Sequence, residues 1–217
     1  MAVVTRFRSV REAPAGSAAG VSGFRMRRDE IMAFGDPLTR MLLASDGFTM
    51  PALEAVIGRD LHVQVLHQVD HLADCLPVTV TASLRVSAVG RVIVRRSCLV
   101  DAAATVDAAV SVNHVVSLSG PAATYGLADS QVPIGQNLMS QGLSQRRHLL
   151  RAGLMRWPDG RLAATRAYLL LLGDRPLCYI RESFNPAIIP PDHTPITDRD
   201  LHWADEPQTD RPAPPPD

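Results

Sequence analysis

Alternating apolar and polar residues predict a series of β-strands through the middle of the chain. The alternation is clearest over residues 78–86 and 91–100, and it also covers residues 61–65 and about 108–118. Successive side chains of a strand point to opposite faces, so this pattern is typical of a sheet with a buried face. We therefore expect several strands that pack together around one apolar layer.

Helical patterns precede and interrupt these strands. Asp36-Pro37 is a typical helix start, because Asp caps the free backbone N–H groups and Pro suits the first turn. Thr49 offers a cap for a second helix, and Gly58 offers its end. The predicted helices cover residues 37 to about 45, 51–57, a short segment from about 136, and 144–154.

A β-hairpin is predicted near the end of the folded part. Residues 161–172 end in an apolar run, Gly173-Asp174 is a turn signal, and residues 176–184 follow as the second strand. Glu182 lies on the apolar face of that strand, with Ile180. Burying a lone carboxylate is costly, so Glu182 is paired, protonated or functional. A structural ion pair and a chemical role both remain open at this point.

The order of these elements predicts an α+β domain built on an antiparallel β-sheet covered by helices. Residues 1–23, rich in Ala, Gly, Ser and Arg, are predicted to form a mobile arm. Residues 24–189 form the predicted folded domain. Residues 190–217 lack an apolar period and are rich in Pro, which predicts a disordered tail.

The amino-acid composition excludes several classes of function and partner. A formal net charge of +0 favours neither nucleic acid nor an acidic membrane as partner. All basic residues other than His are Arg, which excludes Schiff-base chemistry and covalent pyridoxal phosphate. The three cysteines have neither metal nor disulfide spacing, and no secretory signal is apparent, so we expect a cytoplasmic protein without a metal or cofactor.

Two pairs of polar residues are candidate site groups. His67 and His71 are four residues apart, as in a helical metal pair, but they follow a strand pattern and lack the glutamate of the zinc-protease motif. Arg96 shares a strand face with Val94 and Cys98, whereas Arg95 lies opposite, among polar residues. The face comparison favours Arg96 as the inward arginine, with Arg95 as its rival.

Five segments occur in an order that resembles the chorismate pyruvate-lyase family, which makes 4-hydroxybenzoate and pyruvate. They are residues 42–49, 95–100, 118–121, 132–135 and 180–186. The resemblance covers about residues 38–186, most of the predicted domain. It implies a chorismate lyase-like fold, in which a six-stranded antiparallel sheet and covering helices enclose a buried site.

The resemblance also implies roles for particular residues. It makes Glu182 the acid that protonates the departing enolpyruvyl group and Arg96 the ligand of a substrate carboxylate. The backbone N–H of Ile134, beside Gly135, would bind a carboxylate, and Phe48 would cover the pocket. The implied activity is that of a cofactor-independent carbon–oxygen lyase acting on a small-molecule carboxylate.

Other functions stay open. A relative that keeps this site is also suited to work as a cyclase or another lyase in natural-product (polyketide) biosynthesis. A third hypothesis is a small-molecule-binding module, because related sheets in transcription regulators sense small molecules. A regulator needs a DNA-binding domain, and none precedes Leu38 in this sequence, which counts against that role. The oligomeric state is not indicated by the sequence.

Overall fold

An antiparallel six-stranded sheet forms the centre of the computed structural model, which describes residues 27–101, 109–128, 133–194 and 196–200. The strand order is β1-β2-β3-β6-β5-β4, and every neighbouring pair is antiparallel. The strands are β1 (Leu61–Leu72), β2 (Arg91–Asp101), β3 (Ala109–Leu118), β4 (Arg146–Arg156), β5 (Leu162–Leu172) and β6 (Arg175–Phe184).

Short helices pack on both faces of the sheet. They are α1 (27–32), α2 (Pro37–Ala44), α3 (Thr49–Ile57), α4 (Val78–Leu84), α5 (Ser119–Tyr125) and α6 (Ile134–Ser140), with a 3-10 turn at Ala73–Cys75. The predicted α+β class, an antiparallel sheet covered by helices, is confirmed.

The first two predicted helix boundaries are confirmed in part. The Asp36 side chain caps α2 by accepting from the Thr39 backbone N–H at 2.6 Å, as the sequence predicts. Helix α3 ends where Gly58 adopts a left-handed conformation with φ of 69°, also as predicted. The prediction that Thr49 caps α3 is wrong, because Thr49 is the first helical residue and its hydroxyl bonds elsewhere.

The closing hairpin is confirmed. Leu172 pairs with Arg175 across the turn of Gly173-Asp174. Gly173 has a φ of 58°, a left-handed conformation that glycine adopts without the steric cost of a Cβ. The predicted strands over 91–100 and 108–118 are confirmed as β2 and β3 within the described residues.

The predicted strand over residues 78–86 is wrong, because most of it is helix α4. Val80 and Leu84 are one helical turn apart and are buried at 4% and 1% exposure, whereas Val78 is 81% exposed. In a strand, Val78 and Val80 would share a face. Pro77 at the N-cap position precedes the helix, which packs its two buried residues onto Val92 and other residues of the sheet.

The predicted helix over residues 144–154 is also wrong, because this stretch forms edge strand β4. A β-bulge between Leu149 and Arg151 interrupts the strand's pairing with β5. Helix α6 begins at Ile134 rather than near residue 136, and the predicted loop after Leu118 begins with helix α5.

Both faces of the sheet are covered. We call the face packed against α2, α3, α5 and α6 the front face, and the face packed against α4 the back face. Apolar residues of β2 are therefore buried on both faces of the sheet. Leu99 packs at the front, whereas Val94 and Cys98 pack at the back.

Residues just beyond the predicted domain boundary pack against its first helices. The Thr39 hydroxyl donates to the Pro190 carbonyl at 2.8 Å, and Phe34 forms a β-bridge with His193. Residues 1–26 and 201–217 lie outside the described residues, so the mobile arm and the disorder of the tail beyond residue 200 stay predictions. The start of the predicted tail, at Pro190 and His193, makes the contacts just given. Within the described residues, no helix is long and apolar enough to cross a membrane.

Candidate functional site

A cavity opens on the front face between the sheet and the helices. It encloses about 680 Å³, including its open mouth. The sheet supplies its floor, which includes Arg95, Ser97, Asn113, Tyr168, Ile180 and Glu182. The helices and the segments around them supply its other walls, which include Phe48, Thr49, Met50, Ile134 and Gly135.

The strand register brings the polar groups of the floor together. Glu182 of β6 lies between Asn113 of β3 and Arg166 of β5, which are its direct cross-strand partners. In the neighbouring row, Arg95 of β2 reaches Tyr168 of β5 across one residue each from β3 and β6. Glu182 therefore points into the cavity, as the sequence predicts.

Glu182 is the centre of a buried hydrogen-bond network. Arg166 Nε donates to Glu182 Oε2 at 2.9 Å. The Thr49 hydroxyl donates to Oε1 at 2.9 Å, and the Tyr168 hydroxyl donates to the same oxygen at 3.0 Å. Glu182 is 5% exposed, so these donors replace the water that a carboxylate would otherwise bind.

Arg166 connects this network to the helices. Its Nη1 donates to the carbonyl oxygens of Leu42 and Ser45, each at 2.6 Å, and its Nη2 donates to the Thr49 hydroxyl at 2.9 Å. Leu42 lies in the last turn of α2, and Thr49 begins α3. The ion pair of Arg166 and Glu182 thus fixes the corner between these helices on the sheet, which is a structural role.

The network determines the protonation of its members. Burial alone would raise the pKa of Glu182, but the positive charges of Arg166 and Arg147 outweigh it and hold that pKa below its usual value. Burial and the neighbouring Glu182 charge raise the pKa of Tyr168. A lowered pKa favours the carboxylate form of Glu182 at neutral pH. The acid role that the family resemblance implies for Glu182 stays a prediction.

The structure corrects the choice between the two arginines of β2. Arg95 is 4% exposed and lines the front cavity. Arg96 lies on the back face and lines a separate cleft, so the prediction that Arg96 and Glu182 share a pocket is wrong. Apolar neighbours indicated an inward direction for Arg96, but both faces of this sheet are buried, so apolarity does not distinguish them.

Arg147 of β4 is a cavity residue that the sequence did not reveal. Its Nη1 donates to the Thr49 hydroxyl at 3.0 Å, and its guanidinium carbon lies 4.9 Å from the centre of the Tyr168 ring, a cation–π distance. It is half-buried. Residues 144–154 were predicted as a helix, so the direction of this side chain did not follow from the pattern.

Three residues implied by the family resemblance do line the cavity. Phe48, Ile134 and Gly135 lie together at its helical side. A Cβ on Gly135 would stand 2.9 Å from Cε1 of Phe48, so the ring rests directly against the glycine backbone. Gln145 Nε2 donates to the Gly135 carbonyl at 3.2 Å. Their roles as ligand-binding groups stay predictions.

The cavity combines positive charge with apolar walls. Arg95 and Arg147 line it, and Glu182 is the only acidic residue among its described lining residues. Asn113 adds a buried amide oxygen, Oδ1, that has no hydrogen-bond partner in the described part of the chain. No group of three or more His, Cys, Asp or Glu residues within that part is placed to hold a metal ion.

Comparison with known proteins gives a fold likeness alone. No family model matches the chain, and no curated protein matches its sequence. The chain is similar to PhnF from Mycobacterium smegmatis, with a TM-score of 0.50 and 12% identity over 67% of each chain.

Two further solved structures match with lower scores. One is the ligand-binding domain of a putative GntR-family transcriptional regulator from Bordetella bronchiseptica (TM-score 0.43, 15% identity, 58% of this chain and 84% of that one). The other is the C-terminal domain of the histidine utilization repressor from Pseudomonas syringae pv. tomato (TM-score 0.46, 13% identity, 59% of this chain and 93% of that one).

The likeness to PhnF agrees with the predicted chorismate lyase-like fold, but the predicted activity is not borne out. The matched structures include regulator domains, and none of the three is described as a lyase. The prediction of a carbon–oxygen lyase that makes 4-hydroxybenzoate and pyruvate is therefore not borne out. That nucleic acid is not a partner stays a prediction.

Proposed function

We propose that this chain is a small-molecule-binding module whose front cavity binds an organic anion. One observation carries the proposal. Arg95 and Arg147 line a largely apolar cavity whose acidic residue, Glu182, is already neutralised by Arg166. Arg95 and Arg147 therefore bring positive charge to the cavity beside this neutralised pair, which favours a negatively charged ligand.

Guanidinium groups suit this task. Their planar fork matches the two oxygens of a carboxylate, and hydrogen bonds between charged groups are stronger than neutral ones. Arg95 is 4% exposed, so an anion beside it interacts across a medium of lower dielectric constant than water. Arg147 lies across the cavity, where it already contacts Thr49 and the Tyr168 ring.

The remaining walls suit a ligand with an apolar body. Val115, Leu170 and Ile180 line the floor, and Phe48 and Ile134 lie on the helical side. Small-molecule sites are typically lined by apolar side chains with a few placed polar groups. A small organic acid therefore fits both the charge and the apolar lining of the cavity.

The protonation of the titratable side chains in the described cavity lining favours ligand binding over catalysis. Glu182 is held as a carboxylate, and Tyr168 is held as a neutral donor to it. Neither group is poised to transfer a proton near neutral pH. The Bordetella structure is itself named a ligand-binding domain, which agrees with a proposal that rests on the cavity.

Two probes of equal shape test this proposal. Benzoate and the neutral benzamide are titrated into the ¹⁵N-labelled full chain at pH 7, and the amide signals of Gly135 and Thr49 are followed. We expect saturable shifts with benzoate and an affinity for benzamide that is weaker by about tenfold or more, because a charged hydrogen bond is lost. Equal affinities, or no shift with either probe, would contradict the proposal.

A further inference from the structure

Arg147 is a cavity residue that two neighbouring side chains hold in place. It belongs to edge strand β4 and is half-buried, and an arginine side chain without such contacts samples many rotamers. Its Nη1 donates to the Thr49 hydroxyl at 3.0 Å, and its guanidinium carbon lies 4.9 Å from the centre of the Tyr168 ring. The first contact fixes one end of the guanidinium and the second fixes its position over the ring.

Both of these supports are anchored on the same carboxylate oxygen. The Thr49 hydroxyl donates to Glu182 Oε1 at 2.9 Å, and the Tyr168 hydroxyl donates to the same atom at 3.0 Å. Thr49 and Tyr168 are both buried, and Arg166 Nε holds the other oxygen of Glu182 at 2.9 Å. We call Thr49, Tyr168 and Glu182 the mount of Arg147.

The hydrogen-bonding capacity of the Thr49 hydroxyl is fully used in this arrangement. A hydroxyl has one hydrogen and two lone pairs. The hydrogen goes to Glu182, and the lone pairs accept from Arg147 Nη1 at 3.0 Å and Arg166 Nη2 at 2.9 Å. A guanidinium carries five N–H groups, so Arg147 can be held by one of them and meet a carboxylate with others. Thr49 therefore acts on a ligand through Arg147 rather than directly.

We propose that the mount sets the charge selectivity of the front cavity, because it keeps Arg147 in position to bind the carboxylate of a small organic acid. The inference rests on the proposed function, since it concerns how the same cavity recognises its ligand. Immobilising a flexible side chain on binding costs free energy, and a side chain that is already fixed avoids that cost. Thr49 and Glu182 are thus positioning residues for Arg147.

The ratio of benzoate affinity to benzamide affinity tests this proposal, measured in the full chain at pH 7 from the Gly135 amide signal. Thr49→Val removes the hydroxyl but keeps the side-chain shape and every charge of the network. It should lower the ratio by about three- to tenfold, through weaker benzoate binding, while benzamide affinity changes by less than about twofold. A purely structural role would weaken both probes alike. Thr49→Ser keeps the hydroxyl and should restore the wild-type ratio.

A second buried threonine supplies the matched control. Thr165 is 0% exposed, and its hydroxyl donates to the backbone carbonyl of Glu182 at 2.7 Å. It is not among the described lining residues of the front cavity. Thr165→Val makes the same substitution beside the same residue without touching Arg147, so the ratio should stay within about twofold of wild type. Thr49→Ala removes the same hydroxyl as Thr49→Val and should lower the ratio equally, which keeps the test valid if Thr49→Val does not fold.

Three results in the variants would overturn the proposal for the mount. The first is an unchanged ratio in Thr49→Val or Thr49→Ala. The second is an equal fall of the ratio in Thr165→Val, which would indicate general loosening of the domain. The third is a ratio in Thr49→Ser as low as that in Thr49→Val. A wild-type chain that binds both probes equally, or neither, would instead contradict the proposed function, and the role of the mount would fall with it.

Discussion

Replacing Glu182 with Gln distinguishes a proton donor from the anion of a structural ion pair. The variant keeps the side-chain shape but removes the charge that faces Arg166. Arg166 is 1% exposed, and its Nε lies 2.9 Å from Glu182 Oε2. Without Glu182, the guanidinium remains buried with neutral partners only: the carbonyls of Leu42 and Ser45 and the Thr49 hydroxyl.

The expected loss follows from these contacts. Breaking a buried ion pair by removing one partner costs about 3–5 kcal/mol. The Gln oxygen still accepts from Thr49 or Tyr168, and a hydrogen bond of this kind returns about 1 kcal/mol. We therefore expect the free energy of unfolding to fall by about 3 kcal/mol, which lowers the Tm of a domain of this size by roughly 6–12 °C.

The pH dependence provides a second readout. The pKa of Glu182 is lowered in the folded state, so its charge stabilises the protein above the unfolded-state pKa and the contribution is lost as the pH falls through the folded-state value. Urea unfolding should show the full difference between wild type and Glu182→Gln at pH 7. The difference should shrink once the pH falls below the ordinary value of 4.5.

Thr49→Val is the control, since it removes a hydroxyl from the same network but keeps both charges. It should cost about 1–2 kcal/mol, with little dependence on pH. If Glu182→Gln melts within about 2 °C of the wild type, or if its deficit is the same at pH 7 and below pH 4, Glu182 is not the anion of a structural pair and the reasoning is wrong.

Three further predictions test the fold, the cavity wall and the corrected activity. Val80→Asp should cost more than about 2 kcal/mol in urea unfolding and Val78→Asp less than about 0.5, because only Val80 is on the buried side of helix α4; equal costs would contradict the helix. Gly135→Ala places a methyl group 2.9 Å from the Phe48 ring and should weaken benzoate binding by roughly tenfold with little change in Tm; unchanged affinity would show that this contact does not shape the cavity. Incubation with chorismate should give no protein-dependent 4-hydroxybenzoate by chromatography, and its appearance would restore the lyase.

Local signals explain why some elements were predicted and others were not. The Gly173-Asp174 turn joins two apolar runs, so β5 and β6 follow from turn chemistry. Residues 78–86 alternate Val and Thr, which favours a strand, but Val80 and Leu84 also satisfy a helical spacing. In so short a segment the two periods overlap, and packing against the sheet decides between them.

Edge strand β4 was mistaken for a helix for a related reason. Leu149, Leu150 and Leu154 fit a helical stripe, and the strand is half-buried along much of its length. Its bulge between Leu149 and Arg151 also breaks the two-residue alternation that identifies strands. The direction of Arg147 depended on this assignment, so its place in the cavity was missed.

The sequence predicts the direction of the Glu182 side chain but not the residue that pairs with it. The apolar face of β6 correctly gave its inward direction, but the choice between an ion pair and a functional acid needed its neighbour. Counting pairs back from the hairpin turn places Thr165 opposite Glu182. A bulge between Leu170 and Leu171 shifts the register by one residue and brings Arg166 there instead. Such a bulge has no clear sequence signal, and a one-residue shift exchanges the two faces.

Benzoate affinity at the front cavity, measured in Arg95→Met and Arg96→Met, tests the central claim most directly. The two positions are adjacent in β2, but only Arg95 lines the cavity. Followed at the Gly135 amide, Arg95→Met should weaken binding by about 10–100-fold, the range of a lost charged hydrogen bond, and Arg96→Met should change it by less than about twofold. A larger loss in Arg96→Met, or no loss in Arg95→Met, would contradict an anion site on the front face.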